Sequence, residues 1–359
     1  MLDLVGNLHL HTTASDGTAT HDEVAAAAAR AGLDFIMYTD HNTWVDGVAG
    51  WYRDPGSGHK ILRLMGQEVN DQNLEQECNH LLCHFASRDL NSIAADPQQL
   101  IDVVNKHNGL SFLAHPIERP GYGPAKQTLP WISWNISGYT GIELWNAMSD
   151  VKWRLRSIPR GLLGAYLPQL VLSSPFPELL ARWDELLTSG NKIVAIGGSD
   201  AHAWSITWKI FTRTVLPYEF LFRAVNTHLL LDADLSHDFD QARRQIYHAL
   251  KRGHCYVSYD LIASPRGFSF EATSGSQQAM MGDTLILQSE ATLRVESPRP
   301  AKLRLMKDGQ LLLEKKGKDL VWHTSEPGVY RVEAYRRFWG EQRGWVFTNP
   351  IYLERAITP

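Results

Sequence analysis

The stretch that decides the fold is residues 4–41, "LVGNLHLHTTASDGTATHDEVAAAAARAGLDFIMYTDH". Its first eight residues read as a strand, with His9 and His11 two apart and so on one face of it. Residues 20–32, "THDEVAAAAARAG", read as a helix. Thr20 and Glu23 have the spacing of a capping box, the alanines 25–29 are strong helix formers, and Gly32 is a C-terminal stop. Residues 34–41, "DFIMYTDH", return to a short apolar run that ends in polar residues. Strand, helix and strand in this order predict one unit of an α/β fold with a largely parallel sheet.

Working outward, the same alternation continues. Residues 60–69 "KILRLMGQEV", 79–86 "NHLLCHFA", 110–116 "LSFLAHP", 141–146 "GIELWN" and 192–202 "KIVAIGGSDAH" read as further strands. Residues 96–109 "DPQQLIDVVNKHNG" read as a helix with Asp96 at its N-cap, Pro97 at its first position and Gly109 just after it. Residues 176–190 "FPELLARWDELLTSG" and 238–253 "DFDQARRQIYHALKRG" read as two more. Polar residues fall at the C-terminal ends of the strands, where α/β barrels assemble their active sites. Asp40-His41, Glu68, His115 and Asp200-His202 are therefore predicted to meet at one mouth. After about residue 262 the pattern changes to short alternating strands separated by turns, with a hairpin at Asp308-Gly309. Residues 1–262 thus read as an α/β domain and 263–359 as a small all-β, sandwich-like domain.

Composition narrows the function. The chain has 359 residues, 44% hydrophobic and 21% charged, with a formal net charge of −4. That is globular, and it offers no basic surface for nucleic acid. No apolar run is long enough for a membrane span, and the N-terminus lacks a signal-peptide pattern. Three cysteines, Cys78, Cys83 and Cys255, have no CxxC spacing and build no disulfide framework. A cytoplasmic location fits best. Histidine is the informative residue: nine of the 15 lie at or before position 115 and only His323 lies beyond 254, so histidine chemistry belongs to the first two thirds.

The candidate donors at strand ends are His9, His11, Asp16, His41, Glu68, His80, His115, Asp200 and His202. Nine nitrogen and oxygen donors exceed what one zinc takes and suit two or three divalent ions sharing bridging carboxylates. Imidazole with carboxylate favours zinc, iron or manganese. His84, four residues beyond His80, competes with it for the same role. His21 reads as a solvated residue in a helix's first turn, and His107 as a structural residue near a helix C-terminus.

The ordered motifs "HLHTTASDGT", "YTDHN", "GQEV", "NHLL", "AHP" and "GGSDAH" resemble the PHP (polymerase and histidinol phosphatase) superfamily. The longer series with "ELWN", "WDELL" and "GHCYVS" more closely resembles its carbaryl-hydrolase-like metallohydrolase branch, and "GVYRVEAY" with "TNPIYL" resembles that branch's appended β domain. The resemblance implies a distorted (β/α)7 barrel with a trinuclear centre of manganese, zinc or iron. His9, His11, Glu68 and Asp200 would hold one ion. Glu68, His80 and His115 would hold a second, and Asp16, His41 and His202 a third. A water bridging two such ions is expected to be partly hydroxide and to act as nucleophile, with Asp40, beside His41, expected to fix a histidine tautomer and Glu143 and Asn146, at another strand end, to do similar work.

The activity expected on that basis is hydrolysis of a small-molecule phosphomonoester or phosphodiester. The alternative is hydrolysis of a carbamate or carboxylic ester at the same centre, and a third reading is a non-enzymatic scaffold carrying a binding module. A phosphate site should add cationic side chains beside the ions, and a carbamate site aromatic ones. Arg119 is the candidate cation. Trp44, Trp51, Trp131 and Trp134 are the candidate walls, placed in loops expected at the barrel mouth.

Overall fold

The computed structural model describes residues 1–121, 126–154, 157, 164, 167–208 and 211–356. The strands of the first region are β1 (Leu2–Asn7), β2 (Phe35–Tyr38), β3 (Gly50–Arg53), β4 (Lys60–Val69), β5 (Leu81–His84), β6 (Leu110–Leu113), β7 (Gly141–Asn146) and β8 (Val194–Gly198). A small hairpin, β9 (Ser205–Trp208) and β10 (Phe211–Thr214), precedes β11 (Val225–Leu231) and β12 (Cys255–Tyr259). The helices are α1 (His21–Ala31), α2 (Pro97–Lys106), α3 (Ala147–Arg154), α4 (Pro177–Thr188), α5 (Tyr218–Phe222) and α6 (Phe239–Arg252).

The opening strand–helix–strand unit forms in the predicted order, but β1 ends at Asn7, so His9 and His11 lie in the segment beyond the strand and not on its face. Thr20 and Glu23 make a reciprocal capping box, and Gly32 ends α1 in the left-handed conformation at φ 85°. Asp96 caps α2 by accepting from the amides of Gln98 and Gln99, with Pro97 in its first turn.

Seven strands, β1, β2, β4, β5, β6, β7 and β8, run round a barrel. β1–β2, β2–β4, β6–β7 and β7–β8 pair in parallel. Beyond their strands, Leu10 and Ala201 form a parallel bridge that joins the end of β8 to the end of β1. Two features distort the barrel. β5 is antiparallel to both β4 and β6, so no helix separates β4 from β5. β11 pairs antiparallel with the lower part of β1, and the Thr227 hydroxyl bonds both the amide and the carbonyl of Gly197 on β8. The regular strand–helix repeat is thus broken where a short connection allows only a hairpin-type return.

Apolar side chains of β1, β2, β4, β5 and β6, including Leu4, Phe35, Leu62, Leu82 and Phe112, fill the barrel interior. Val24, Ala28, Ile36, Trp145 and Trp183 belong to the layer between strands and helices. Among the described residues no helix is long and apolar enough to cross a membrane.

The remaining strands are β13 (Ser269–Ser274), β14 (Gln277–Met280), β15 (Thr284–Leu287), β16 (Ala291–Lys307), β17 (Gln310–Thr324), β18 (Gly328–Phe338), β19 (Glu341–Thr348) and β20 (Ile351–Arg355). They enclose a separate apolar core that includes Phe270, Leu293, Leu303, Val332 and Trp345. Asp308 and Gly309 both take positive φ, 50° and 77°, as a tight hairpin turn requires. Residues 291–307 are one long strand, with a register shift between Glu296 and Ala301 where Pro298 and Pro300 interrupt the ladder. β19 also pairs with β12, so the β region continues the barrel's sheet.

Candidate metal centre

The histidines of the opening motif follow β1 directly, and both are fully buried. The loop after them is held from three sides. Asp40 accepts from the Thr12 amide (2.7 Å), the Thr12 hydroxyl (2.9 Å) and the Ser15 hydroxyl (2.9 Å). The Tyr218 hydroxyl donates to the carbonyl of His11 (2.8 Å) and accepts from the Thr18 amide. At Gly17 an added Cβ would lie 2.5 Å from the His11 carbonyl oxygen, so only glycine lets the loop fold back this tightly.

Glu68, near the end of β4, is the hub. Its Oε2 lies 2.9 Å from His9 Nε2, 3.1 Å from His11 Nε2 and 3.4 Å from His41 Nδ1. Its Oε1 lies 2.7 Å from His80 Nδ1 and 3.1 Å from His115 Nε2. Asp200 Oδ1 lies 3.4 Å from His9 Nε2 and 3.2 Å from His11 Nε2. Asp16 Oδ1 lies 3.2 Å from His202 Nε2, 3.8 Å from His11 Nδ1 and 3.9 Å from His41 Nε2. All nine donors named from the sequence therefore lie in one contiguous cluster.

Three groupings within it could each hold an ion: His9, His11, Glu68 and Asp200; His11, Asp16, His41 and His202; and His41, Glu68 and His80. The fit can be tested on distances and on unpaired atoms. Four ligands at about 2.1 Å around a tetrahedral ion stand about 3.4 Å apart, and the nitrogen–oxygen separations in the first grouping run from 2.9 to 3.4 Å. Both ring nitrogens of His11, with His41 Nδ1, His80 Nε2 and His115 Nδ1, are buried and make no hydrogen bond. Buried polar atoms without partners are rare in proteins, and all of these except His115 Nδ1 lie within 3.8 Å of a carboxylate without hydrogen-bond geometry. The residues fit divalent ions.

Electrostatics agree. Burial alone would raise the Glu68 carboxyl, but His9, His41 and His80 hold it well below the usual range. Burial likewise opposes ionisation of Asp200, and His9, His11 and His202 outweigh it. Against burial, Asp200 and Glu68 push His11 up to about 9, and Glu68 does the same for His80. Burial, aided by His11 and His80, drives His41 down to about 4. The carboxylates stay charged and demand positive partners. A divalent ion supplies that charge without protonating every imidazole.

Supporting contacts fix the rings. Glu143 Oε1 lies 2.9 Å from His9 Nδ1, while its Oε2 accepts from the amide of His115 and from Asn146. An added Cβ on Gly198 would meet Glu143 Oε1 at 2.3 Å, so the second glycine of "GGSD" opens the space for this contact. His202 Nδ1 donates to the backbone carbonyl of Asp200 (2.9 Å), leaving Nε2 toward Asp16. Two members hold left-handed backbone, His115 at φ 28° and Asp200 at φ 53°, a conformation that non-glycine residues rarely adopt outside constrained sites.

Several expected placements differ. Asp40 contacts none of the nine; its histidine neighbour is His21, at 3.4 Å, and its bonds hold the Thr12–Ser15 turn. Tautomer fixing by a carboxylate falls to Glu143. Trp51 is not in a mouth loop. It lies in β3, paired with Leu62 near the start of β4, six residues from Glu68, with Lys60 Nζ 4.0 Å over its ring. Residues 54–59 form the hairpin turn between β3 and β4. Trp44 does lie in the loop after β2, as expected, and donates to Asp46 (2.7 Å). Trp131 is buried, with its indole nitrogen on the Ser133 carbonyl, and Trp134 lies under Arg182 at 4.6 Å. Arg119 pairs with Glu178 on α4 and stacks on Trp153 and Phe176, so its charge is already used. His84 touches no carboxylate, and His107 lies at the surface against Arg88.

Two residues at the site escaped sequence reading. Glu77 lies 3.2 Å from His80 Nε2 and accepts from Asn70. Trp204 is 47% exposed, with its ring 5.9 Å from that of His202. Its position two residues beyond "SDAH" was the available signal.

No family model matches the chain, and no curated protein matches it. Solved structures do. One is a two-domain protein from Bacteroides vulgatus, described as containing a predicted PHP-like metal-dependent phosphoesterase. It is 16% identical, covering 97% of this chain and 95% of its own, with a TM-score of 0.46. A second, from Bifidobacterium adolescentis, is described as a candidate metal-dependent phosphoesterase. It is 15% identical over 55% of this chain and 87% of its own, with a TM-score of 0.30. A third, from Chromobacterium violaceum, is described as an amidohydrolase with bound sulfate and no metal. It is 12% identical over 59% of this chain and 92% of its own, with a TM-score of 0.30. None of the three carries the carbaryl-hydrolase description.

Proposed function

We propose that this chain is a metal-dependent phosphoesterase, cleaving a small phosphomonoester or phosphodiester at two or three divalent ions held by His9, His11, Asp16, His41, Glu68, His80, His115, Asp200 and His202. One observation carries the reading: Glu68 lies within 3.4 Å of five imidazoles, in the arrangement expected of a carboxylate shared between ions. Bound divalent ions supply Lewis acidity toward an ester oxygen and toward water. The chain's own residues determine where that acidity acts. Glu143 and the Asp200 carbonyl orient His9 and His202, and Asp40 and Tyr218 hold the turn that presents Asp16.

Charge favours an anionic substrate. Asp16, Glu68 and Asp200, with Glu143 beside His9 and Glu77 beside His80, make five carboxylates, so the loaded centre is net positive when it holds three divalent ions. Among the described residues no lysine or arginine pairs with any of the nine donors, and phosphate attraction therefore rests on the ions themselves. Hydrolysis of p-nitrophenyl phosphate and bis-p-nitrophenyl phosphate by manganese- or zinc-loaded protein, set against an aryl carbamate, tests the assignment. Turnover of the carbamate alone would overturn it.

Trp204 supports a second reading. An exposed indole beside His202 suits an aryl leaving group, as in an aryl carbamate or aryl ester. Under that reading Trp204→Ala raises KM for the aryl substrate about tenfold, with little effect on an alkyl ester of the same acid. Equal KM changes for both would remove Trp204 from substrate selection. We also propose that the chain divides near residue 262 into the metal-binding barrel and the β domain, on the change of strand pattern and the separate apolar core.

A further inference from the structure

The segment 167–176, which leads into α4, has little hydrogen bonding of its own and is ordered from outside. The Tyr259 hydroxyl donates to the carbonyl of Gln169 (2.9 Å). The Arg343 guanidinium donates through Nη2 to the carbonyl of Leu170 (2.8 Å) and through Nη1 to that of Leu172. The Gly344 amide donates to the carbonyl of Ser173 (2.7 Å), and the Ser173 amide donates to Asp150 (2.7 Å). Three of these four carbonyls are therefore satisfied by consecutive residues of β19. Arg343 is 3% exposed. A register shift opposite Ala334 and Tyr335 leaves Trp345 unpaired with β18, and such a bulge turns the neighbouring backbone out of the ladder. At Gly344 an added Cβ would lie 3.0 Å from Ser174 Cβ, so the approach is as close as glycine allows.

What the clamp holds matters for the metal centre. Ser174, Pro175 and Phe176 form one side of a small cavity whose other side is made by His115, Glu143 and Asn146. The last three belong to the donor cluster or bond directly to it. We propose that Arg343, supplied by the C-terminal β region, is a positioning residue for the hydrolytic site. Its fork fixes two carbonyls of an irregular segment, and so sets the Ser174–Phe176 wall of the water-sized cavity that backs His115, Glu143 and Asn146. This deepens the phosphoesterase reading and rests on it. It assigns the β region a part in substrate selection.

The test uses the full-length, manganese-loaded chain and the variants Arg343→Met, Arg343→Lys and Tyr259→Phe. Hydrogen exchange across 167–176 should speed up about tenfold in Arg343→Met, with the other strands unchanged. Metal content should stay at the wild-type value. KM for bis-p-nitrophenyl phosphate should rise about tenfold with kcat within about twofold, and the dissociation constant of phenylphosphonate should rise in parallel. Arg343→Lys, which can reach one carbonyl but not two, should recover part of the loss. Tyr259→Phe, which keeps the buried ring, should shift exchange and KM the same way by less, and it covers the case in which Arg343→Met fails to fold. Wild-type exchange in Arg343→Met, an unchanged phenylphosphonate affinity, or a fall in kcat that tracks lost metal would each overturn the proposal. If wild type hydrolyses neither ester, the phosphoesterase reading fails. The clamp is then judged by exchange and phenylphosphonate binding together, and absence of any binding overturns it as well.

Discussion

Two buried histidine clusters sit on the same barrel and differ in how their nitrogens are used. At the mouth, His11 has neither ring nitrogen hydrogen-bonded; His41 Nδ1 and His80 Nε2 are also bare, 3.4 Å from Glu68 and 3.2 Å from Glu77, and His115 Nδ1 is bare while its Nε2 faces Glu68. On the far side, His228 of β11 has both nitrogens occupied. Nδ1 lies 2.7 Å from Asp3 and Nε2 3.2 Å from Asp260, with the Tyr256 ring stacked at 4.7 Å and its hydroxyl donating to Asp3. The second arrangement is complete in itself. The first is balanced only when another cation enters. Burial and acidic neighbours are common to both, so it is the unpaired donors that separate a ligand cluster from a structural ion pair.

The largest expected effect breaks the first cluster at its hub. Glu68→Gln removes the one carboxylate that reaches five imidazoles. Metal content by elemental analysis should fall, and hydrolytic activity should drop by more than the 10- to 100-fold typical of losing a supporting contact to a ligand. The folded core should persist, because the interior apolar layer does not depend on Glu68. Retained metal with full activity would show that the carboxylate is not shared between ions.

His228→Gln should do the opposite, leaving metal content intact and lowering stability. It strands Asp3 and Asp260 in a mostly buried position, which costs about 3 kcal/mol on the scale of a broken buried pair. The pH dependence has a definite sign. Against burial, Asp260 and Asp3 raise the folded imidazolium to about 9 from 6.5. Its contribution is therefore fully present below pH 6.5 and is lost as pH rises through about 9. Urea midpoints of wild type should fall across that window, and His228→Gln should lack this part of the fall. An equal alkaline loss in the variant would assign it to another group.

How much of this was legible in the sequence follows the same division. Most of the ligands could be read because they close an apolar strand run or lie just beyond one, and strand ends of a barrel meet whatever their separation in the chain; His80 instead precedes β5, whose antiparallel direction brings its start to the same mouth, and Asp16 is carried by the loop after β1. The capping box at Thr20 and the left-handed Gly32 were equally local. What could not be read depends on partners distant in sequence. Arg119 is engaged by Glu178, 59 residues on. Trp51 belongs to an added hairpin that a turn-rich composition disguises as a loop. β11 enters beside β1 from more than 200 residues away, and Arg343 reaches back 171 residues to Leu172. Asp40 was misjudged for a related reason: being next to His41 in sequence sends its side chain to the other face, toward Thr12.

The smallest expected effect sharpens the comparison most. His84 ends β5 fully buried, with both ring nitrogens unpartnered like those of His11. Nothing acidic stands beside it. Gly66 lies opposite, its missing Cβ leaving room for the ring, and Phe112 is 5.9 Å away. Burial pushes the imidazole down to about 3, so it is neutral at any physiological pH. An unpaired nitrogen therefore marks a ligand only where a carboxylate converges on the same point. A buried unsatisfied polar group costs about 1–3 kcal/mol, and an apolar side chain of similar size avoids that cost. His84→Leu should accordingly keep wild-type metal content and activity, and gain about 1 kcal/mol in urea unfolding. The same change at His80, whose unpaired Nε2 lies 3.2 Å from Glu77 and whose Nδ1 faces Glu68, should lose metal. If His84→Leu loses metal instead, convergence with a carboxylate is not the criterion, and burial without a partner would be enough to name a ligand.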